Sequence, residues 1–392
     1  MMKPSLRMLC VGLLVFFWML PAASVAGPTD TTGLRITLVS APPNGPATIR
    51  VTSPATANIR LEWHLLLNGV SGQKGVLPVY VSSRHASLVR LPVKLSSGDK
   101  DDAEAWLRII CRRTGAPRKS APIATVLLPL RPWHGDRSIP PAGELNFTDS
   151  NGIFMITAPN TQIQFDKQTG WLLHYEAGHT LLMGDTAGVQ PTLWPGIQPR
   201  LQLFSTSTGT QLVIVRAEYT LPETWSLLHM SYTINAAGEM LIGETLEADT
   251  SQHLPDSVHR PPLPCFGMRW LLPVGLDTVS WFGSIDSAAA PGIFHEPLTT
   301  PVTDPRETGF TNVRWLTLTG PLATGLRIIA DSNFLHLRTV SVSDSAGASR
   351  TALDVDALPP FSDNIQYTFK VTSVLPRPPA PAPAAHIHPA RR

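Results

Sequence analysis

The sequence predicts an all-β protein of two sandwiches, and three observations predict it. First, 38 prolines and 28 glycines recur along the 392 residues and leave few uninterrupted windows for a long helix. Second, short apolar runs with period-two alternation lie between them and read as strands. Third, the length exceeds what one hydrophobic core usually organises, so two domains are expected.

Residues 1–26 read as a secretory signal peptide. Lys3 and Arg7 give a positive start, "MLCVGLLVFFWML" an apolar core, Pro21 a break, and Ser24-Val25-Ala26 small residues for cleavage. That core is short for a membrane span, so the expectation is a secreted or periplasmic protein without a membrane anchor.

Residues 27–130 read as an immunoglobulin-like sandwich. "ATIRVTS", "IRLEWHLLLNG", "ASLVRLPVKL", "EAWLRIICRR" and "IATVLLPL" are strand candidates at sandwich spacing. Asn68-Gly69 supplies the left-handed conformations of a hairpin turn. Residues 131–147 read as a linker stiffened by Pro132, Pro140 and Pro141. Residues 148–375 read as a second, larger β region. "FDKQTGWLLHYE" forms a hairpin around Gly170, and "INAAGEM" another around Gly238. "LPCFGMRWLLPVGLDTVSWFG", Leu263 to Gly283, reads as two strands joined by a tight turn. Residues 376–392, proline- and alanine-rich, cannot bury a core and are expected to be disordered.

A formal charge of +2 with 15% charged residues argues against nucleic acid as a partner, which needs a basic face. Cys111 and Cys265 fall in different domains and are expected to be free thiols. No paired Cys/His spacing suggests a metal site, and the His386 and His388 pair lies in the tail. No cofactor motif is present.

Four stretches, in order, carry a family resemblance. They are "ITAPNTQIQFDKQTGWLLHYEAGHTLL", "LPCFGMRWLLPVGLDTVSWFG", "DPRETGFTNVRWLTLTG" and "TGLRIIADSNFLHLRTVSVSD". Together they resemble the C-terminal "small chain" domain of the glycoside hydrolase family 2 β-galactosidases. "LEWHLLLNGVSGQKGVL" resembles the immunoglobulin-like domain that precedes it there. The resemblance implies that the second domain is a galactose-mutarotase-like supersandwich. It also implies that the catalytic (β/α)8 barrel of those enzymes, ~250 residues, has no counterpart here. The family's active-site loop before the last strand is replaced by "LDVDALPPFSDN".

Three sets of residues could carry chemistry. Asp166, Glu176, Glu218, Glu247 and Glu307 are carboxylates without the pairing that glycoside hydrolysis needs. His174, His179, His229 and His295, with Glu176 or Glu218, could move a proton as in aldose mutarotases, but no spacing links them, and the favoured reading is partly exposed strand or loop histidines. For sugar binding, Trp194 and Trp281 lie beside loop-forming proline and glycine and could stack on a pyranose. Arg306, Glu307 and Arg314 could bind its hydroxyls or pair with one another. The expected function is an exported, non-catalytic, carbohydrate-associated module. The alternatives are an accessory subunit completing a separate β-galactosidase large chain, or a mutarotase-like enzyme acting on aldoses. The partner is thus a galactoside-like carbohydrate or that large chain.

Overall fold

The computed structural model describes residues 33–375, apart from 43–44, 94, 96–103, 118, 141, 179, 185–187, 195, 250–262, 285–290, 299–308, 322, 332, 344–348 and 359–363. The predicted signal peptide and tail lie outside the described residues.

Seven strands build the N-terminal sandwich: β1 (Arg35–Ser40), β2 (Ala47–Thr52), β3 (Ala57–Leu67), β4 (Val70–Val81), β5 (Ser87–Leu91), β6 (Ala105–Arg113) and β7 (Ala124–Arg131). They form two antiparallel sheets, β1-β2-β5 and β4-β3-β6-β7. Alternation builds its core: Ile59, Leu61, Trp63 and Leu65 of β3 and Leu107, Ile109 and Cys111 of β6 meet Ile36, Ile49 and Val51. Asn68 and Gly69 turn β3 into β4 with φ of 46° and 80°, which suits a tight hairpin.

The C-terminal part adds a five-stranded meander and a thirteen-stranded sheet. The meander is β8 (Asn146–Ser150), β9 (Ile153–Ala158), β10 (Thr161–Asp166), β11 (Leu172–Ala177) and β12 (Thr180–Gly184). The large sheet contains β13 (Gln190–Thr192), β14 (Arg200–Thr208), β15 (Leu212–Leu221), β16 (Ser226–Asn235), β17 (Met240–Ala248), β18 (Gly267–Leu271), β19 (Thr278–Ser284), β20 (Gly292–Pro297), β21 (Gly309–Thr319), β22 (Gly325–Ala330), β23 (Leu335–Ser343), β24 (Ser349–Ala357) and β25 (Ile365–Val374). Its order is β13-β18-β24-β23-β21-β22-β25-β17-β16-β15-β14, with β19 and β20 attached through β21. Among the described residues the helical content is one 3-10 turn, Pro222–Thr224.

One core joins the meander to the large sheet. Phe165 of β10 meets Tyr232 of β16 edge-on at 4.9 Å, and Phe154 of β9 meets Phe204 of β14 at 6.4 Å. Gly170, with φ of 77°, closes the β10–β11 hairpin directly above Tyr219, where a Cβ would lie 2.4 Å from the hydroxyl.

Leu263 to Gly283 departs from the hairpin expectation. Its two strands, β18 and β19, do not pair with each other. After β18, the Leu272 N–H still bonds to the Thr351 carbonyl of β24, and Pro273 then ends the ladder. The chain turns at Gly275, with φ of 106°, and enters β21's neighbourhood when the Asp277 N–H bonds to Thr319.

The segment 131–147 is tied along the second sandwich. Trp133 Nε1 donates to the carbonyls of Ala330 and Asp331, and Arg137 pairs with Asp331. Asn235 Nδ2 donates to the Pro140 carbonyl at 2.8 Å. The Lys370 ammonium, 4% exposed, donates to Asp136 at 3.0 Å and to the Ser138 carbonyl at 2.9 Å. Gly135 is required here, because a Cβ would sit 2.5 Å from the Asp331 backbone.

Candidate functional site

Among the described residues, those singled out in the sequence do not gather into one open site. Arg306 and Glu307 lie outside the described residues. Trp194 and Trp281 are 9% and 3% exposed and belong to the second core. Trp281 falls on the inward side of β19, against Phe294 at 5.1 Å and Phe310 at 4.3 Å. Gly283 beside it marks close strand packing, with a virtual Cβ 3.1 Å from the Thr311 carbonyl. The glycine that suggested an exposed loop therefore belongs to a buried strand, and both tryptophans have packing roles here.

Arg314 is buried between the sandwiches. Its Nε and Nη2 donate to Glu104 Oε2 and Oε1 at 2.8 and 2.6 Å, and its Nη1 donates to the Asn312 carbonyl. Arg314 and Glu104 are 2% and 1% exposed. The guanidinium lies 3.8 Å from the Phe334 ring centroid and 5.5 Å from that of Phe282. Asn68 holds Glu104 by two backbone contacts of 2.9 Å, one to its carbonyl and one from its N–H. The next residue, Gly69, fits under Phe282, where a Cβ would approach the ring to 2.8 Å. Arg314 thus locks the first sandwich to the second.

A second charged cluster was missed in the sequence. On β18, Met268 and Trp270 enter the core, so Arg269 points to the other face. The same alternation turns Asp354 and Asp356 of β24 away from Leu353 and Val355, and His336 and Arg338 of β23 away from Leu335 and Leu337. Pairing then aligns Gln190, Arg269, Asp354 and Arg338 in one row across four strands, and Thr192, Gly267, Asp356 and His336 in the next.

Asp354 is the centre of the first row. It is fully buried and takes a two-pronged contact from Arg269, 2.6 and 2.9 Å, and a third bond from Arg338 Nη2 at 2.9 Å. Asp356, 3% exposed, accepts from the Thr192 hydroxyl at 2.6 Å, while Arg338 Nη2 stays 4.0 Å away. Burial and the neighbouring Asp354 charge push Asp356 up to about 6. Burial, then the Arg338 charge, lowers His336. The Cys265 thiol, which donates to the Leu193 carbonyl, is pushed up to about 11 by burial and then by Asp356. Arg338 Nε is buried with no hydrogen-bond partner among the described residues. No disulfide joins Cys111 to Cys265.

The strained acid gives a stability prediction. Asp356 binds its proton more tightly folded than unfolded, where its value is 3.8. Its contribution is therefore complete below about pH 4 and is lost as pH rises through about 6. Asp356→Asn keeps the Thr192 contact and never ionises. It should stabilise the protein at pH 7.5 by on the order of 2–3 kcal/mol and leave it little changed at pH 4, in urea titrations at both pH values. Equal effects at the two pH values would contradict the assignment.

The histidines form separate pairs. His229 Nε2 lies 3.2 Å from Glu247 Oε1 on the face of the large sheet opposite the core, with Glu218 directly across from His229. His174 lies 3.4 Å from Glu176, and His295 Nδ1 is 2.7 Å from the Ser280 hydroxyl. His179 lies outside the described residues. Among the described residues, no group of three His, Cys, Asp or Glu side chains could hold a metal ion.

Comparison with known proteins places the chain in a family. The model of the β-galactosidase small chain matches residues 157–358. A curated β-galactosidase of Priestia megaterium (strain DSM 319 / IMG 1521) is 23% identical over 207 residues, which cover 44% of this chain and 19% of that protein. The chain therefore spans about a fifth of that relative's length. Among solved structures, a GH36 α-galactosidase of Geobacillus stearothermophilus superposes on 59% of this chain and 40% of its own, with 10% identity and a TM-score of 0.39. A galactose 1-epimerase of Lactobacillus acidophilus NCFM superposes on 60% of this chain and 100% of its own, with 9% identity and a TM-score of 0.32. Those superpositions are loose, and the assignment rests on the sequence match across β9 to β24: the chain belongs to the β-galactosidase small-chain family.

Proposed function

We propose that this chain is an exported, carbohydrate-associated module of the small-chain type that does not itself cleave glycosidic bonds. The observation that carries the reading is the polar array on β13, β18, β24 and β23. Carbohydrate sites fix hydroxyls with a few well-placed polar groups. Here two partly exposed guanidinium groups, two carboxyls and a hydroxyl are fixed side by side on a rigid sheet. Export rests on the signal-like first 26 residues. The partners implied are a galactoside-like carbohydrate or a β-galactosidase large chain, because the curated relative carries this stretch within a much longer β-galactosidase.

The buried carboxyls support a role without hydrolysis. A retaining glycosidase needs two carboxyls ~5–5.5 Å apart, one of them ionised and free to attack. Asp354 is committed to two arginines, Glu104 to one, and burial raises Glu244 well above the usual carboxylate range, which disfavours its ionised form.

A second reading, a mutarotase-like acid–base enzyme, is favoured by the His229–Glu247 contact. One preparation separates the two. The purified protein should show no turnover of aryl β-galactosides above buffer and should bind galactose at millimolar concentration. Hydrolysis lost on changing one Asp or Glu would sink the first reading. Faster mutarotation of α-galactose by polarimetry, abolished in His229→Ala, would establish the second.

A further inference from the structure

Below about pH 6, where Asp356 takes up its proton, the array contains more cation than anion. The described groups that face it are Gln190 and Thr192 from β13, Cys265 and Arg269 at β18, Asp354 and Asp356 from β24, and His336 and Arg338 from β23, while Glu244 of β17 and Tyr367 of β25 lie close enough to feel the Asp356 charge. Asp354 is shared by both arginines. Burial favours the neutral forms of His336 and Cys265. Asp356 is the remaining anion. It is held by a hydroxyl rather than by a cation, with the nearest guanidinium nitrogen 4.0 Å away. Arg269 is 39% exposed, and Arg338 keeps a buried Nε–H without a partner among the described residues. Two guanidinium groups therefore share one committed carboxylate and retain donors for another planar anion.

We propose that this array selects a sugar carrying a carboxylate, a hexuronate, over the neutral hexose, with the ligand carboxylate held by Arg269 and Arg338 and its hydroxyls by Thr192 and Asp356. The proposal rests on the carbohydrate reading above. It fixes a sign for pH. Asp356 loses its negative charge as pH falls through about 6, while a hexuronate carboxyl stays ionised well below pH 5. Repulsion of the ligand falls, so binding strengthens in mild acid. It also fixes a salt dependence, since partly exposed guanidinium groups are screened.

The test is calorimetric titration of the full chain with D-galacturonate and with D-galactose, at pH 5 and pH 7.5 and at low and high salt. Galacturonate should bind about tenfold more tightly than galactose at pH 5. The preference should shrink at pH 7.5 and in high salt. Arg269→Gln should weaken galacturonate about tenfold and galactose less than about threefold. Circular dichroism checks that this variant folds. Asp356→Asn should tighten galacturonate binding at pH 7.5 and remove its pH dependence, a gain that misfolding cannot imitate. Equal affinity for the two sugars at both pH values overturns the charge selection and leaves the carbohydrate reading standing. Galacturonate binding indifferent to both substitutions overturns its location. If neither sugar binds, both readings fall.

Discussion

Glu104→Ala should lower the unfolding free energy by about 3–5 kcal/mol, and so should Arg314→Ala. Each leaves one charge buried, 1–2% exposed, where water cannot replace the lost partner. The two-pronged contact at 2.6 and 2.8 Å, the Asn312 carbonyl and the Phe334 ring have all fixed the guanidinium for that single carboxylate. Replacing both, with Glu104→Leu and Arg314→Met, should recover most of the loss, because the desolvation cost disappears along with the attraction. Urea denaturation followed by tryptophan emission measures all three. A single-substitution effect below about 1 kcal/mol would mean the pair is hydrated and the sandwiches are not locked at this point. The lock also predicts one cooperative transition for both sandwiches, since Trp133, Asp136 and Ser138 tie the intervening segment to the second core as well.

What was legible in the sequence was local. The alternation of "LEWHLLL" gives the inward face of β3, and glycines at 170 and 238 mark hairpins that form, each with φ near 80°. The resemblance carried the family, and the all-β class followed from turn density. What was hidden depends on distant pairing. Arg269 and Asp354 are 85 positions apart and meet because β18 and β24 are neighbours. Arg314 finds Glu104 across 210 positions. No short motif marks either meeting. One signal was available: "GMRWL" and "ALDVD" place charge within strands whose other side is fully apolar. Such charge, flanked by a buried strand on each side, calls for a cross-strand partner.

Trp281→Ala should cost about 3–5 kcal/mol of stability, as expected for a large aromatic cut from a filled core. The sequence left open the other outcome, a ring beside a glycine and exposed enough to stack on a sugar. The structure puts the ring at 3% exposure, tilted onto Phe310 and stacked on Phe294, so its removal leaves a cavity lined by two other aromatics. Trp281→Phe should recover part of the loss, because it keeps an aromatic face against Phe294 while giving up volume. The comparison is made by urea midpoint at constant slope, so that a change in denatured-state compactness is not read as stability. A change within about 0.5 kcal/mol for Trp281→Ala would match an exposed ring and restore it as a stacking platform for sugar. The predicted loss would mean that weakened sugar binding in this variant reports unfolding, and that ligand contacts have to be sought on the Arg269–Asp354–Arg338 row instead.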